Sequence, residues 1–249
     1  LNDQFELYYQ AQLTDDGKLF GAEVLIRWNH PTRGMISPVE FIPLAEETGL
    51  ISILGYWVLH TATNQLAIWA EQLEFKDLVI AVNVSPSQFH QKNFVEQVVD
   101  VLELTKADPL RLKLELTEGF SISNIEDVIK KMSILKEVGV GFSLDDFGTG
   151  YSALNTLCQY PLDIVKLDRS FVLRLMDGQQ GEVLVRAIVN MARDLKLAMV
   201  AEGVETHEQM LKIKALGVEE VQGFYYYRPM PAADIFALTE AKLSAEVCS

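Results

Sequence analysis

Polar and apolar residues alternate with a period of two along Leu19 to Trp28, so that Ala22, Val24, Ile26 and Trp28 share one face and Glu23, Leu25 and Arg27 the other. Phe5 to Leu13 is a second strand-like run, joined to the first by Thr14-Asp15-Asp16-Gly17-Lys18. Its Asp-Gly step favours a hairpin, so the first strand pair is expected to be antiparallel. Further short apolar runs follow near Leu78 to Ser85, Arg111 to Glu118, Val140 to Phe147, Asp163 to Asp168, Leu197 to Gly203 and Glu220 to Tyr226, each separated from the next by a helical pattern. Strands that alternate with helices pack as parallel βαβ units. The pattern predicts an α/β fold, a TIM-like (β/α)8 barrel with an antiparallel first strand pair. At roughly 31 residues per strand-helix unit, one domain accounts for residues 1–249.

Seven of these runs carry a metal-liking or proton-handling side chain at or near their ends: Glu23, Asn83, Glu115, Asp145 with Asp146, Lys166, Glu202 and Gln222. In a closed barrel the C-terminal strand ends converge on one face, where such enzymes keep their active sites. Carboxylates gathered there repel by roughly 4 kcal/mol per pair at 4 Å and an effective dielectric of 20. A bound cation is the natural remedy. Parity adds Lys113 and Thr117 to the face of Glu115, Ser143 to that of Asp145 and Asp168 to that of Lys166, while Leu112, Leu114, Leu116, Phe142, Leu144, Val165 and Leu167 should face the helices. A single inward carboxylate is as well explained by a structural salt bridge, but seven coincident positions point to a site.

Other polar residues read as local structure. Ser37-Pro38-Val39-Glu40, Ser123-Asn124-Ile125-Glu126 and Thr206-His207-Glu208-Gln209 each fit a capping box. Glu46, Glu47, Glu71 and Glu74 fall on helical segments and should be solvated. His30, His60, His90 and His207 lack the spacing of a metal-binding helix.

Composition narrows the function. A formal charge of −14 argues against extended nucleic acid, whose binding relies on Lys and Arg, but allows a small phosphorylated ligand if metal ions bring positive charge. Leu50 to Ala70, the longest apolar stretch, is interrupted by Ser52, His60, Asn64 and Gln65 and reads as a buried helix instead of a membrane span. Cys158 and Cys248 are isolated thiols, so a reducing, cytoplasmic setting is expected for the domain. Position 1 is Leu and a strand begins almost at once, which suggests a domain cut from a longer protein with regulatory domains elsewhere.

The runs Glu23-Val24-Leu25-Ile26-Arg27-Trp28, Phe41-Ile42-Pro43-Leu44-Ala45-Glu46, Asn83-Val84-Ser85-Pro86, Glu115-Leu116-Thr117-Glu118, Asp145-Asp146-Phe147-Gly148-Thr149-Gly150-Tyr151-Ser152, Lys166-Leu167-Asp168, Ala201-Glu202-Gly203-Val204-Glu205-Thr206 and Gln222-Gly223-Phe224 resemble, in order, the signatures of the EAL family. That family hydrolyses the bacterial second messenger cyclic di-GMP to linear pGpG. The tripeptide here is Glu-Val-Leu, and Ala11, Gly119 and Ala153 also depart from the family pattern.

The resemblance implies that Glu23, Asn83, Glu115 and Asp145 hold one Mg²⁺ or Mn²⁺, and Asp145 with Asp146 a second. An oxygen-only ligand set independently suits these hard cations. It further implies Glu202 as general base, Lys166 as the residue that orients the attacking water or steadies charge on phosphorus, and Leu25, Arg27, Pro43, Asp168 and Gln222 as substrate contacts. Glu118 and Glu205 would support the loop after Asp146, and the segment from Asp146 to Leu154 would gate the metals in a homodimer. Two other readings stand beside it: a catalytically silent cyclic di-GMP receptor, and, from the residues alone, an enolase-like lyase using Mg²⁺ carboxylates and a strand-end lysine.

Overall fold

The computed structural model describes residues 4–117, 125–148, 157–235 and 237–238. Eight strands close into a barrel in the order β1 (Phe5–Thr14), β2 (Leu19–His30), β4 (Val79–Asn83), β5 (Leu112–Thr117), β6 (Gly141–Phe147), β7 (Ile164–Leu167), β8 (Ala198–Ala201) and β9 (Glu220–Val221), with β1 returning to pair with β9. All neighbours from β2 to β9 run parallel, and β1 is antiparallel to both of its barrel neighbours. Two short strands not anticipated from the sequence, β3 (Gly34–Ile36) and β10 (Met230–Pro231), pair with β2 and β1.

The helices that wrap the barrel bury the expected face of each strand. Leu112, Leu114, Leu116, Phe142, Leu144, Val165 and Leu167 are all buried in one core with residues of α2 (Ile51–Ala70), α4 (Phe94–Thr105) and α5 (Ile125–Val138). The opposite faces make the barrel interior, which in many such barrels is filled by branched apolar side chains. Here Gln10, Gln12, Glu23, Glu115, Ser143, Lys166 and Gln222 are all buried there. Among the described residues no helix is long and apolar enough to cross a membrane.

Three expectations are corrected. Glu23 is not at a strand end: β2 leaves the barrel after Val24, its last residue paired with β4, and continues as a hairpin arm with β1 and β3. The run Glu220 to Tyr226 is strand only at Glu220–Val221, because Gly223 passes so close to Val204 that a Cβ would lie 2.1 Å from the Val204 carbonyl oxygen. The chain turns there, with the Tyr225 N–H donating to Val204. Ser37 precedes α1 (Pro38–Glu47) but its hydroxyl makes no cap, since Glu40 ion-pairs with Arg33 instead of completing the box. The Thr206 box does form, with Gln209 closing it. Ser123 lies outside the described residues, and Glu71 and Glu74 fall in the turn after α2.

The packing at Gly223 gives a test. Gly223→Ala has to displace backbone, not a flexible side chain, so a loss of about 2 to 3 kcal/mol or more is expected in urea unfolding. A loss below 0.5 kcal/mol would contradict this close approach.

Candidate active site

Cross-strand register assembles the site. Gln10 pairs with Glu23, Asn83 with Glu115 and Thr117 with Asp145, so these positions sit side by side around the mouth. Consecutive strand residues face opposite ways, which should separate Asp145 from Asp146. A register shift between Leu144 and Phe147 removes both from the β6–β7 ladder, and Asp146 takes φ 54°, a left-handed conformation that apart from glycine only asparagine and aspartate adopt with any frequency. Oxygens of Asp145, Asp146 and Glu202 thereby come within 4.8 Å of one another, an arrangement that could hold a metal ion.

Lys166 occupies the middle. Its Nζ, on a side chain only 1% exposed, lies 2.6 Å from Glu202, 2.9 Å from Glu115, 3.2 Å from Glu23 and 3.4 Å from Asp145. Burial opposes its charge, but the four carboxylates outweigh burial and hold the ammonium well above the usual lysine range. One cation cannot satisfy four anions. Burial drives Glu115 well above the ordinary carboxylate range, and neighbouring Glu23, Asp145 and Glu202 add to the effect against Lys166. Glu202 is pushed up to about 8, again chiefly by burial, with Asp145 and Glu23 adding. Asp145 and Asp146 are raised for the same first reason. Glu23 goes the other way: its burial is outweighed by Lys166 and by hydrogen bonds from Gln222 and Asn83.

Those hydrogen bonds pin Glu23 on both oxygens, Asn83 Nδ2 donating to Oε1 at 2.7 Å and Gln222 Nε2 to Oε2 at 2.6 Å. An asparagine that donates through Nδ2 retains Oδ1 as a potential cation ligand. Oxygen donors from carboxylates and one amide suit Mg²⁺ or Mn²⁺, and the residues present fit such ions.

Two cavities lie at this end of the barrel. One of about 460 Å³ is lined by Glu23, Asp145, Glu202, Glu205, Gln222 and Phe224. A mostly apolar one of about 530 Å³ runs beneath α1 and α2 from Asn83, past Leu25, Ile42 and Leu54, to Glu46 and Gln88. Glu46 is therefore partly withdrawn from solvent, and Gln88, which the sequence reading passed over, presents a buried Nε2 without a partner among the described residues. Gly55 makes room for its carboxamide.

Of the remaining expected site residues, Leu25 lines the apolar cavity, and Arg27 stacks over Tyr8 at 5.4 Å while Nη1 donates to the Ile26 carbonyl. Pro43 is exposed inside α1. Asp168 caps α6 (Arg169–Arg174), accepting from the Ser170 N–H at 2.9 Å. Glu205 ion-pairs with Arg169 at 2.9 Å. Glu118 and residues 149–154 lie outside the described residues. Gln10 and Gln12, also passed over, are buried beneath Glu23, although the alternation of Tyr8, Gln10 and Gln12 against Leu7, Tyr9, Ala11 and Leu13 carries their signal.

Comparison with known proteins agrees with this geometry. The EAL domain family matches residues 1–229. The chain is 41% identical over 235 residues to the bifunctional diguanylate cyclase/cyclic di-GMP phosphodiesterase MucR of Pseudomonas aeruginosa, covering 94% of this chain and 34% of that protein. It is 40% identical over 233 residues to the cyclic di-GMP phosphodiesterase NbdA of the same species, covering 93% and 30%. The solved structure described as PaMucR phosphodiesterase, c-di-GMP complex, superposes with a TM-score of 0.88 at 40% identity, covering 93% of this chain and 94% of that one. The chain spans about a third of the length of the curated relatives it matches.

Removing the central ammonium tests the electrostatics. Raised carboxylate pKa values give stability that is full below the unfolded values near 4 and is lost as pH rises through the folded ones. Lys166→Met raises them further, so its stability deficit against the parent, in chelator, should be about 3 to 5 kcal/mol at pH 8 and shrink toward pH 5. A deficit independent of pH would show that Lys166 acts by packing alone.

Proposed function

The chain belongs to the EAL domain family, and from that premise we propose that it hydrolyses cyclic di-GMP to linear pGpG with two divalent cations at the barrel mouth. The observation that carries this reading is the ring of Glu23, Glu115, Asp145 and Glu202 around Lys166, with Asp146 drawn in by the bulge. Glu23, Asn83, Glu115 and Asp145 would hold one Mg²⁺ or Mn²⁺, and Asp145 with Asp146 a second. Such ions, when bound, supply an acidified water and neutralise charge on the phosphoryl group.

The chain's own groups account for the rest. Glu202, at the wall of the cavity, takes the proton of the attacking water. Lys166, anchored by its carboxylates, steadies that water or the charge that grows on the phosphoryl oxygens. Arg27 shares the Glu23 face about 13 Å farther along β2, where a guanidinium can fork onto a phosphate of the ligand. Guanine offers N1–H and N2–H₂ donors and O6 and N7 acceptors, and the apolar cavity matches a purine with Glu46 as acceptor and Gln88 Nε2 as donor. Leu25 would pack on that base and Pro43, on α1, would border it. Asp168 completes the proposed substrate contacts through the oxygen not engaged by Ser170, while Gln222, whose amide is engaged by Glu23 and Gln12, bears on the ligand only through Glu23. Glu118 and Glu205 would brace the loop after Asp146 in a homodimer, a cytoplasmic assembly whose other domains set the activity. Activity per chain unchanged on dilution to a monomer seen by light scattering would remove the dimer from the proposal.

One feature favours the second reading, a silent receptor. Lys166 partly neutralises the ring without any metal, so the pocket can persist unloaded.

Chromatography of cyclic di-GMP incubated with the protein separates the two. Hydrolysis should yield pGpG with Mg²⁺ or Mn²⁺ and stop with chelator. Since the base must be ionised, kcat should rise with pH through an apparent value no higher than about 8. Glu202→Gln should lower kcat by about 10²- to 10⁴-fold with ligand affinity retained, whereas Arg27→Ala should weaken binding. Tight binding of cyclic di-GMP with no pGpG under any of these conditions would establish the receptor.

A further inference from the structure

Gln12 lies on β1 and Gln222 directly after β9, near opposite ends of the chain, yet Gln12 Nε2 donates to Gln222 Oε1 at 2.9 Å. Gln222 Nε2 in turn donates to Glu23 Oε2 at 2.6 Å and approaches Gln10 Oε1 at 3.3 Å. All four side chains are buried. The direction of this chain of hydrogen bonds is fixed by chemistry. An ionised carboxylate only accepts, so Gln222 must turn its NH₂ toward Glu23. Its carbonyl oxygen then needs a donor, and among the described residues the Gln12 amide provides it.

The backbone is built around Gln12. Gly21 stands directly across β1–β2 from it, and a Cβ there would lie 2.9 Å from the Val79 carbonyl oxygen and 3.0 Å from Gln12 Oε1. The ladder shifts register immediately after this pair. A side chain at position 21 would crowd the carboxamide, and an unshifted ladder would carry different neighbours past it.

We propose that Gln12 is a positioning residue for cation binding: it sets the orientation of the Gln222 amide, which holds the Glu23 carboxylate in a single pose. This inference rests on the reading of Glu23 as a metal ligand given above. With Oε2 bound by Gln222 and Oε1 by Asn83, Glu23 keeps its plane before any ion arrives. Without Gln12, the Gln222 oxygen is left buried and unpaired, and the amide gains by rotating toward some other donor. Its NH₂ then no longer faces Glu23. Groups that orient a metal ligand from behind typically change affinity by about 10- to 100-fold when lost.

The test measures Mn²⁺ affinity calorimetrically on the whole chain, without substrate, for the parent, Gln12→Leu, Gln222→Leu and the double variant. Each single change should weaken Mn²⁺ by about 10-fold or more, and the double should be no weaker than Gln222→Leu alone, because Gln12 acts through Gln222. Losses that multiply in the double variant, or an unchanged affinity in Gln12→Leu, would overturn the proposal. Gln12→Met, closer in shape to glutamine, replaces Gln12→Leu if the latter does not fold. Nitrogen-proton spectra of the metal-free proteins add an independent readout: the Gln222 side-chain NH₂ should be protected from exchange in the parent and lose that protection in the Gln12 variant. If the parent binds no Mn²⁺, the metal reading fails, and the spectra alone decide whether Gln12 orients Gln222.

Discussion

The ammonium of Lys166, 1% exposed and within 3.4 Å of four carboxylates, is the contact on which the rest of the barrel mouth depends. Taking ions out of water costs several kcal/mol each, and mutual attraction repays that only where the geometry is close and the remaining lone pairs are satisfied. Closure of the barrel supplies the geometry, since it turns alternate residues of every strand toward one shared interior. Asn83, Gln222 and Ser143 supply part of the satisfaction, donating to Glu23 and Glu115. What remains is an excess of negative charge, expressed as carboxyls that hold their protons unusually tightly. A divalent ion at the proposed metal site would relieve that strain, and the imbalance that weakens the metal-free fold would then be the source of its affinity.

The antiparallel first strand shapes the site from two directions. Because β1 returns along β2, the hairpin arm carries Leu25 and Arg27 beyond the carboxylates and forms one wall of the apolar cavity, which α1 and α2 roof over. The same strand closes the barrel against β9 and brings Gln12 against Gln222. A barrel begun by another parallel strand would end at Glu23 and would lack both the arm and the amide chain. The carboxylate ring and the apolar cavity are thus separate regions, with Asn83 lining the cavity and donating to Glu23.

Much of this was legible in the sequence because period-two alternation encodes barrel inside and outside directly. Leu112, Leu114 and Leu116 go to the helices and Glu115 to the interior, as parity requires. The gathering of carboxylates was also legible, although part of the relief expected from a bound cation falls to Lys166 within the chain. The bulge at Asp145 and Asp146 was not, since nothing in an acidic pair announces a φ of 54°. Nor was the buried role of Gln10 and Gln12, because a neutral amide on an alternating strand suits solvent as well as a hydrogen-bonded interior. The apolar cavity draws on β2, α1, α2 and the turn after β4, and no local pattern reports such a convergence. Ser37 shows the converse: its motif fits a capping box, and a distant arginine takes the glutamate the box requires.

Proton release on metal binding tests the central claim most directly. Near pH 7 a Glu202 pushed up to about 8 still carries its proton, and a divalent cation bound beside it would favour the carboxylate and expel that proton. Mn²⁺ titrated into metal-free protein in buffers of different ionisation enthalpy should therefore release about one proton per chain, and less as pH is raised above 8. Binding with no proton release at pH 7 would contradict the account, because the carboxylates would then be fully ionised before the metal arrived.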